Sequence, residues 1–266
     1  MKSLACPPAV GTTVRCRIAV ASFLRANAET IAKARKEPMA IGARKLPGAL
    51  LKHADEQTVL ALATILDGLT TRGWLDQSFA DWGVIAAPNW FGRMSNAVAI
   101  QRYQHEGAWG VSPHLIPQHS LHAMSGTISQ ALKIHGPNFG VNGGSNTGCD
   151  AFLLAAALMA DGQLPGLWLL LTGYETEWIP AANGEPPPAP VCNAVALALT
   201  PWKSAASGSC LAVGRAFDAM HLTEFHLGLF AEDWRAFGGL PQGRWRLAEA
   251  HWLEIEADRA DAEARS

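Results

Sequence analysis

The sequence lacks the features that mark several common classes of protein. Its five cysteines are an odd number with no C-x-x-C pair, which argues against a disulfide framework and against a zinc knuckle. The formal net charge is -2 and like charges form no long run, so the basic footprint of a nucleic-acid-binding protein is missing. Residues 1–14 contain no secretion signal, and no apolar run is long enough to cross a bilayer. We therefore expect a cytoplasmic protein that neither binds nucleic acid nor spans a membrane.

Cofactor and metal signatures are missing as well. The glycine-rich turn around Gly144 does not match G-x-G-x-x-G, and no P-loop lysine follows it, so we expect no nucleotide cofactor. His119 and His122 stand three residues apart, but no Asp or Glu completes a ligand set, and we expect no metal.

What is present is a chain of 266 residues, long enough to bury one sizeable core. Apolar periodicity predicts helices at 55–73, 93–106, 120–134 and 149–161, and strands at 15–23, 82–88, 139–144, 167–171, 192–199 and 209–217. Residues 25–50 are basic and loosely patterned, so we expect partly irregular surface there. An all-apolar helix at 149–161 beside an all-apolar strand at 167–171 predicts a layered α/β fold, in which both elements are covered.

The last third of the chain is set apart by a proline-rich break, GEPPPAP, at residues 184–190. The two strands that follow are expected to form a hairpin around 201–208. The tail beyond them is rich in tryptophan and is expected to end in an acidic helix at 247–264. Its indole rings either pack the tail on the core or form a second docking surface. We expect one domain at 15–217 and a peripheral tail at 218–266.

The most informative stretch is a strand, a glycine turn and a helix at 139–161, which is the layout of a nucleophile elbow. Ser145 lies at the tip of this turn, where the helix N-terminus offers amide donors and partial positive charge. A serine hydroxyl needs a positioned base before it acts as a nucleophile. Alternatively, Ser145 simply suits a tight turn and caps the helix.

Short motifs recur in order along residues 80–180: Ser112-Pro113, Ile116-Pro117, Ile128-Ser129, Gly136-Pro137-Asn138, Gly144-Ser145-Asn146-Thr147-Gly148, Asp161-Gly162 and Thr172-Gly173-Tyr174-Glu175. Together they resemble the N-terminal half of β-ketoacyl-acyl carrier protein synthases, thiolase-fold enzymes of fatty acid and polyketide assembly. The resemblance implies an α/β, thiolase-like layered fold with a mixed β-sheet and helices, present here as the N-terminal half only. It makes residues 15–217 a ketoacyl synthase N-terminal-like domain.

Two departures from the family pattern bear on activity. Ser145 stands where the family has its nucleophilic cysteine, and its hydroxyl is a far poorer acyl acceptor without a base. Cys149 falls inside the following helix and is not expected to replace that cysteine. The family's two histidines belong to Thr-x-x-x-His-Gly-Thr and Gly-His motifs, neither of which occurs, and the chain ends where a second half is expected. We therefore expect a degenerate synthase that does not catalyse condensation as an isolated chain.

A ketosynthase-like chain without the cysteine resembles the chain length factors, which pair with a catalytic ketosynthase and help to shape its acyl tunnel. This short chain is similar to the partner subunits of aryl polyene type ketosynthases. The resemblance implies a full-length ketosynthase and an acyl carrier protein as partners, and no cofactor.

The same resemblance assigns roles to particular residues. In thiolase-fold dimers the strand before the elbow pairs with its counterpart, so we expect Phe139, Val141 and Asn142 at a dimer interface. Residues 114–129 would approach the partner's tunnel. The residues expected at the elbow and substrate tunnel are Gly144, Ser145, Asn146, Thr147, Gly148, His119 and His122.

Two other functions stay open. Ser145 could accept an acyl group in a transferase or hydrolase of acyl thioesters, with His119 or His122 as its base. The chain could also form a homodimer with a groove for a small ligand.

Overall fold

The described chain contains both strands and helices. The computed structural model describes residues 13–113, 115–120, 122–141, 144–176, 190–203, 208–215 and 219–256. The strands are β1 (Val14–Asn27), β2 (Ala40–Ile41), β3 (Arg44–Lys45), β4 (Gly83–Pro88), β5 (Asn138–Gly140), β6 (Leu167–Tyr174), β7 (Val191–Pro201), β8 (Cys210–Arg215), β9 (Gly243–Ala248) and β10 (His251–Glu256). The helices are α1 (Ala28–Lys36), α2 (Glu56–Arg72), α3 (Arg93–Glu106), α4 (Leu115–Gln118), α5 (Ala123–Leu132), α6 (Thr147–Met159) and α7 (Leu227–Phe237), with short 3-10 turns at Gly107–Gly110 and Ala219–His221.

Among the residues described, eight strands form one mixed sheet in the order β5-β4-β6-β7-β1-β8-β10-β9, and β2 and β3 form a separate pair. β4 runs parallel to β5 and β6, whereas the other neighbours in the large sheet are antiparallel. The long strand β1 serves two partners, β7 along residues 16–27 and β8 along residues 14–17. The predicted hairpin between β7 and β8 is wrong, because β1 lies between them.

Helices cover both faces of this sheet. On one face α2 and α5 bury apolar side chains such as Leu62 and Ile128, each with no exposed surface. On the other face α6 and α7 contribute Phe152 and Phe230 to a second apolar cluster. β6 and β7 lie between the two clusters and are buried along almost their whole length. The predicted layering of an apolar helix against an apolar strand follows from this burial.

Helix α2 begins and ends where the sequence predicts. The side chain of Asp55 accepts a hydrogen bond from the backbone N–H of Gln57 at 2.8 Å, which satisfies one free donor of the first turn. Gly73 ends the helix in the left-handed region at φ +73° and donates to the carbonyls of Leu69 and Thr70.

The C-terminal tail differs most from its prediction. The acidic helix predicted at 247–264 is wrong for the described residues, since β9 and β10 occupy 243–256 and extend the large sheet. The helix was predicted from the acidic composition of this segment. In the structure Leu253 and Ile255 are buried and Glu254 between them is not, which is the alternation of a strand. The tail also packs on the core, with Phe225 and Trp245 in the apolar cluster of α6 and α7. The domain boundary at 217–218 lies outside the described residues and stays a prediction.

Smaller differences concern three other segments. Residues 25–50, expected to be partly irregular, contain α1 and the β2–β3 pair as well as the end of β1. Within the range predicted as a strand, 139–144, the described strand β5 covers Asn138–Gly140, while residues 142 and 143 lie outside the described residues. Residues 184–189 of the proline-rich break lie outside the described residues. In the described part of the chain no helix has both the length and the apolar content to cross a membrane.

Candidate functional site

The glycine turn lies at the end of the sheet where the parallel strands finish. β4 ends at Pro88, β5 at Gly140 and β6 at Tyr174, and these carboxyl ends point to the same edge because the strands are parallel. The turn follows β5 directly and leads into α6. Crevices at this edge of an open α/β sheet are the usual position of ligand sites.

Gly144 shapes the turn by allowing a close contact that no other residue would permit. It is buried in the left-handed region at φ +92°, and a Cβ atom there would lie 2.8 Å from the indole ring of Trp90. Its carbonyl accepts hydrogen bonds from Oγ1 of Thr147 at 2.7 Å and from the N–H of Thr147 at 3.4 Å. The guanidinium of Arg93 also packs on Trp90, with its Cζ atom 3.8 Å from the centre of the indole ring. The loop after β4 therefore packs on the turn.

Ser145 is exposed at the tip, as its position in the sequence predicts. Its hydroxyl donates to Oδ1 of Asn146 at 3.2 Å. Asn146, not Ser145, is the residue that precedes the first turn of α6, and it makes no side-chain capping bond. The capping role considered for Ser145 is therefore wrong, because Asn146 occupies the N-cap position and Ser145 lies one residue before it.

The first turn of α6 is pressed against the C-terminal tail. A Cβ atom on Gly148 would lie 2.7 Å from the ring of Phe225, so glycine permits this contact. The thiol of Cys149 donates to the carbonyl of Phe225 at 3.6 Å and is buried. Burial, with smaller contributions from Glu224 and Asp150, raises the pKa of Cys149 to about 11. Cys149 is therefore protonated near neutral pH and is a poor nucleophile.

His119 is held away from solvent by a carboxyl group that the sequence did not single out. Its Nε2 atom lies 3.7 Å from Oδ2 of Asp55, and its ring packs edge-on against Phe91. Its Nδ1 atom is buried and has no hydrogen-bond partner among the described residues. Burial lowers the pKa of His119, and the stronger burial of Asp55 raises the pKa of that carboxyl to about 7.

Asp55 begins a buried polar network that sequence reasoning missed. Gln57, with no exposed surface, accepts from Oγ1 of Thr172 at 2.7 Å and donates from Nε2 to the carbonyl of Asn89 at 3.1 Å. The N–H of Asn89 in turn donates to the carbonyl of Thr172 at 2.7 Å. These bonds join α2 to the ends of β4 and β6, directly before the loop that carries Trp90. A glutamine among the apolar positions of α2 was the one signal that could have revealed it.

The predicted site residues are thus only partly brought together. Gly144 to Asn146 form the turn, and Thr147 and Gly148 begin α6, but no hydrogen bond joins Ser145 to a histidine within the described residues. His122 is exposed and begins α5 without a side-chain cap. Phe139 and Val141 lie at β5, while Asn142 lies outside the described residues. In the ranges that the structure describes, no three His, Cys, Asp or Glu side chains gather as a metal site would require.

Comparisons with known proteins give the fold. No protein-family model and no curated protein matches the sequence. Among solved structures, a β-ketoacyl synthase from Burkholderia phymatum matches with a TM-score of 0.51 and 14% identity, over 85% of this chain and 69% of the other. A chain of the complex between the ketosynthase ApeO and its chain length factor ApeC from Xenorhabdus doucetiae matches with a TM-score of 0.49 and 14% identity, over 92% of this chain and 97% of the other. The ishigamide ketosynthase/chain length factor matches with a TM-score of 0.49 and 18% identity, over 85% and 74%.

The chain therefore has the thiolase-like fold of the β-ketoacyl synthases. This confirms the fold class that the motifs of residues 80–180 predicted, a mixed sheet with helices on both faces. At 14% identity the similarity concerns the fold, and the function must be argued from the site.

Proposed function

We propose that this chain is a noncatalytic, ketosynthase-like subunit of the chain length factor type. It would pair with a full-length ketosynthase in fatty acid or polyketide biosynthesis, in a system of the aryl polyene kind, and act together with an acyl carrier protein. The observation that carries the proposal is the elbow itself: the scaffold is retained, and a serine without a base stands where the family has its thiol.

The chemistry of the elbow supports this role. A neutral hydroxyl attacks a thioester slowly unless a base removes its proton in the same step. The hydroxyl of Ser145 donates to the amide oxygen of Asn146, and His119, one of the two candidate bases, faces Asp55 in the interior. A catalytic partner would have to supply both the thiol and the histidines.

An open sheet edge beside the elbow supports the need for a partner. β5 is an outer strand of the sheet in the described chain. The N–H of Val141 donates to the carbonyl of Ala86 at 2.8 Å, so alternate residues of β5 face β4 and the backbone of Asn138 and Gly140 faces outward. An uncovered strand edge is a template for pairing with another chain.

Apolar side chains are exposed in the same part of the sequence. Of eight large apolar side chains that are exposed in the described residues, five lie between residues 90 and 109 and a sixth is on β5. They are Trp90, Val98, Ile100, Tyr103, Trp109 and Phe139. Exposed apolar side chains that are concentrated in one region commonly mark a site of interaction with another molecule.

The test is co-expression of this chain with a ketosynthase encoded near it, followed by size-exclusion chromatography with light scattering. We expect a one-to-one complex. Phe139→Glu should prevent the complex because it puts a charge at the open edge of β5. Phe237→Glu, at the exposed end of α7, is the matched control and should leave it intact. Absence of a complex with the unaltered chain, or equal binding of both variants, would overturn the proposed pairing or its location.

The two alternative functions would each give a different experimental result. A Ser145-dependent mass increase on incubation with acyl thioesters or a fluorophosphonate would favour an acyltransferase or hydrolase. The exposure of Ser145 is the observation in favour of that alternative. A stable dimer of this chain alone would favour a homodimer.

A further inference from the structure

A cavity of about 240 Å³ lies between the end of α1 and the segment that follows β3. Its floor is apolar and includes Met39, Leu46, Leu50 and Leu51. Leu51 belongs to the core cluster beneath α2, and the other three pack against that cluster. The floor is therefore supported by the core, whereas the walls come from surface segments.

The cavity lies in the most basic stretch of the chain. Residues 33–52 contain six Lys or Arg and a single acidic residue, although the net charge of the whole chain is -2. Lys36 and Lys45 line the cavity, are exposed, and make no ion pair among the described residues. Glu37, the acidic residue, also lines the cavity, and its carboxylate lies 3.9 Å from the ammonium group of Lys33. Among the described residues, the cavity lining therefore carries three basic side chains, Arg35, Lys36 and Lys45, against the one carboxylate of Glu37.

Arg35 is a third cation in the wall of the cavity. The guanidinium of Arg35 donates through one nitrogen to the carbonyl of Ala54 at 3.0 Å and to Glu56 at 2.8 Å. These bonds fix the side chain between α1 and the start of α2. The Nε atom of Arg35 is buried and has no hydrogen-bond partner in the described part of the chain. The Arg35 side chain is 26% exposed, so a ligand in the cavity would meet its exposed part and not the buried Nε atom.

We propose that this cavity binds an aliphatic chain that ends in an anion, such as a medium-chain carboxylate. The apolar floor would accept the chain, and the anion would lie among Arg35, Lys36 and Lys45. The volume equals that of about eight water molecules in the liquid, which suits a chain of about eight carbons. An apolar pocket with a few convergent polar groups is the common form of a small-molecule site. The site is remote in sequence from the glycine turn and does not depend on the proposed pairing.

The test is calorimetric titration of the full chain with octanoate, with 1-octanol as the uncharged analogue. We expect saturable binding of one octanoate per chain, and binding of 1-octanol that is weaker by about tenfold or more. The double variant Lys36→Gln/Lys45→Gln should weaken octanoate binding by about tenfold or more, because it removes the two rim charges. Lys52→Gln/Lys203→Gln removes the same charge outside the cavity and should leave binding unchanged.

A second variant tests the cavity itself. Leu50→Trp should fill the floor and abolish binding, and circular dichroism would report whether it folds. If it does not fold, the two lysine variants decide the question. The proposal is overturned if octanoate gives no saturable binding at millimolar concentration, if both lysine variants lose binding equally, or if a folded Leu50→Trp binds as the unaltered chain does.

Discussion

The Nε2 atom of His119 lies 3.7 Å from the Oδ2 atom of Asp55, a carboxyl group with almost no exposed surface. The contact joins the segment between α4 and α5 to the N-terminus of α2. Gly92 makes it possible, since a Cβ atom there would lie 2.8 Å from the imidazole ring. His119 is thus part of the buried support beneath the Trp90 loop.

The buried carboxyl group of Asp55 predicts a pH-dependent stability. Burial raises its pKa from 3.8 to about 7, so between these values the folded chain holds a proton that the unfolded chain releases. Its contribution to the free energy of unfolding is complete below pH 3.8 and is lost as the pH rises through 7. The largest slope that one group can produce is about 1.4 kcal/mol per pH unit.

Asp55→Asn is the variant that isolates this effect, since asparagine retains a good helix cap and does not titrate. Urea unfolding from pH 4 to pH 8 should show the variant gaining stability relative to the unaltered chain as the pH rises. The lowered pKa of His119 acts in the opposite direction, favouring the folded state above pH 6.5, but both proteins retain that residue. A stability difference that is constant with pH would contradict the prediction.

Gly144 should be the glycine least tolerant of alanine in the turn. Gly144→Ala adds left-handed strain and a clash with Trp90, and we expect a loss of about 2–4 kcal/mol in the free energy of unfolding. Gly162→Ala is the control, because its φ is +67° but nothing lies within 4 Å of the added Cβ atom. It should cost about 1–2 kcal/mol from strain alone. Trp90→Leu should partly rescue Gly144→Ala, and equal losses at the two glycines would exclude the clash.

The buried bond between Gln57 and Thr172 should appear as coupling in a double-mutant cycle. Gln57→Leu leaves the Thr172 hydroxyl and the Asn89 carbonyl without their partner, at a cost of about 1–3 kcal/mol for each buried group. Thr172→Val leaves the Gln57 amide oxygen unpaired. The double variant should cost less than the sum of the single ones when unfolding is measured in urea. Simple additivity would show that the bond contributes nothing to stability.

A cysteine introduced at the tip should be reactive where the native cysteines are not. The thiols of Cys16, Cys149, Cys192 and Cys210 are buried. In a Cys6→Ser background, native protein should therefore resist iodoacetamide, whereas adding Ser145→Cys should give one alkylated residue per chain. The position before α6 should lower the thiol pKa and speed the reaction beyond that of a free thiol at pH 7. Mass spectrometry measures the product, and an unlabelled tip would show that it is covered in solution.

Helices and strands with strong local signals could be predicted closely from the sequence. The helix predicted at 93–106 is α3 of the structure, and the helix predicted at 55–73 is α2, which Gly73 ends as predicted. The C-terminal strands were missed, since β9 and β10 are short and charged, and their strand form depends on pairing with β8. The hairpin between β7 and β8 was wrong for a related reason, because strand order is a long-range property that periodicity does not contain.

The sequence by itself determined the elbow: its glycines, the serine in the place of a thiol, and the motifs that resemble the ketosynthases are all local patterns of residue type. Only the tertiary structure decided what surrounds Ser145. His119 is three residues from His122 in the chain, yet it is buried against Asp55 while His122 is exposed. The position of β1 between β7 and β8, and the packing of the tail on α6, were likewise visible only in the tertiary structure. Such contacts join residues far apart in the chain, and their free energy depends on burial that local sequence does not specify.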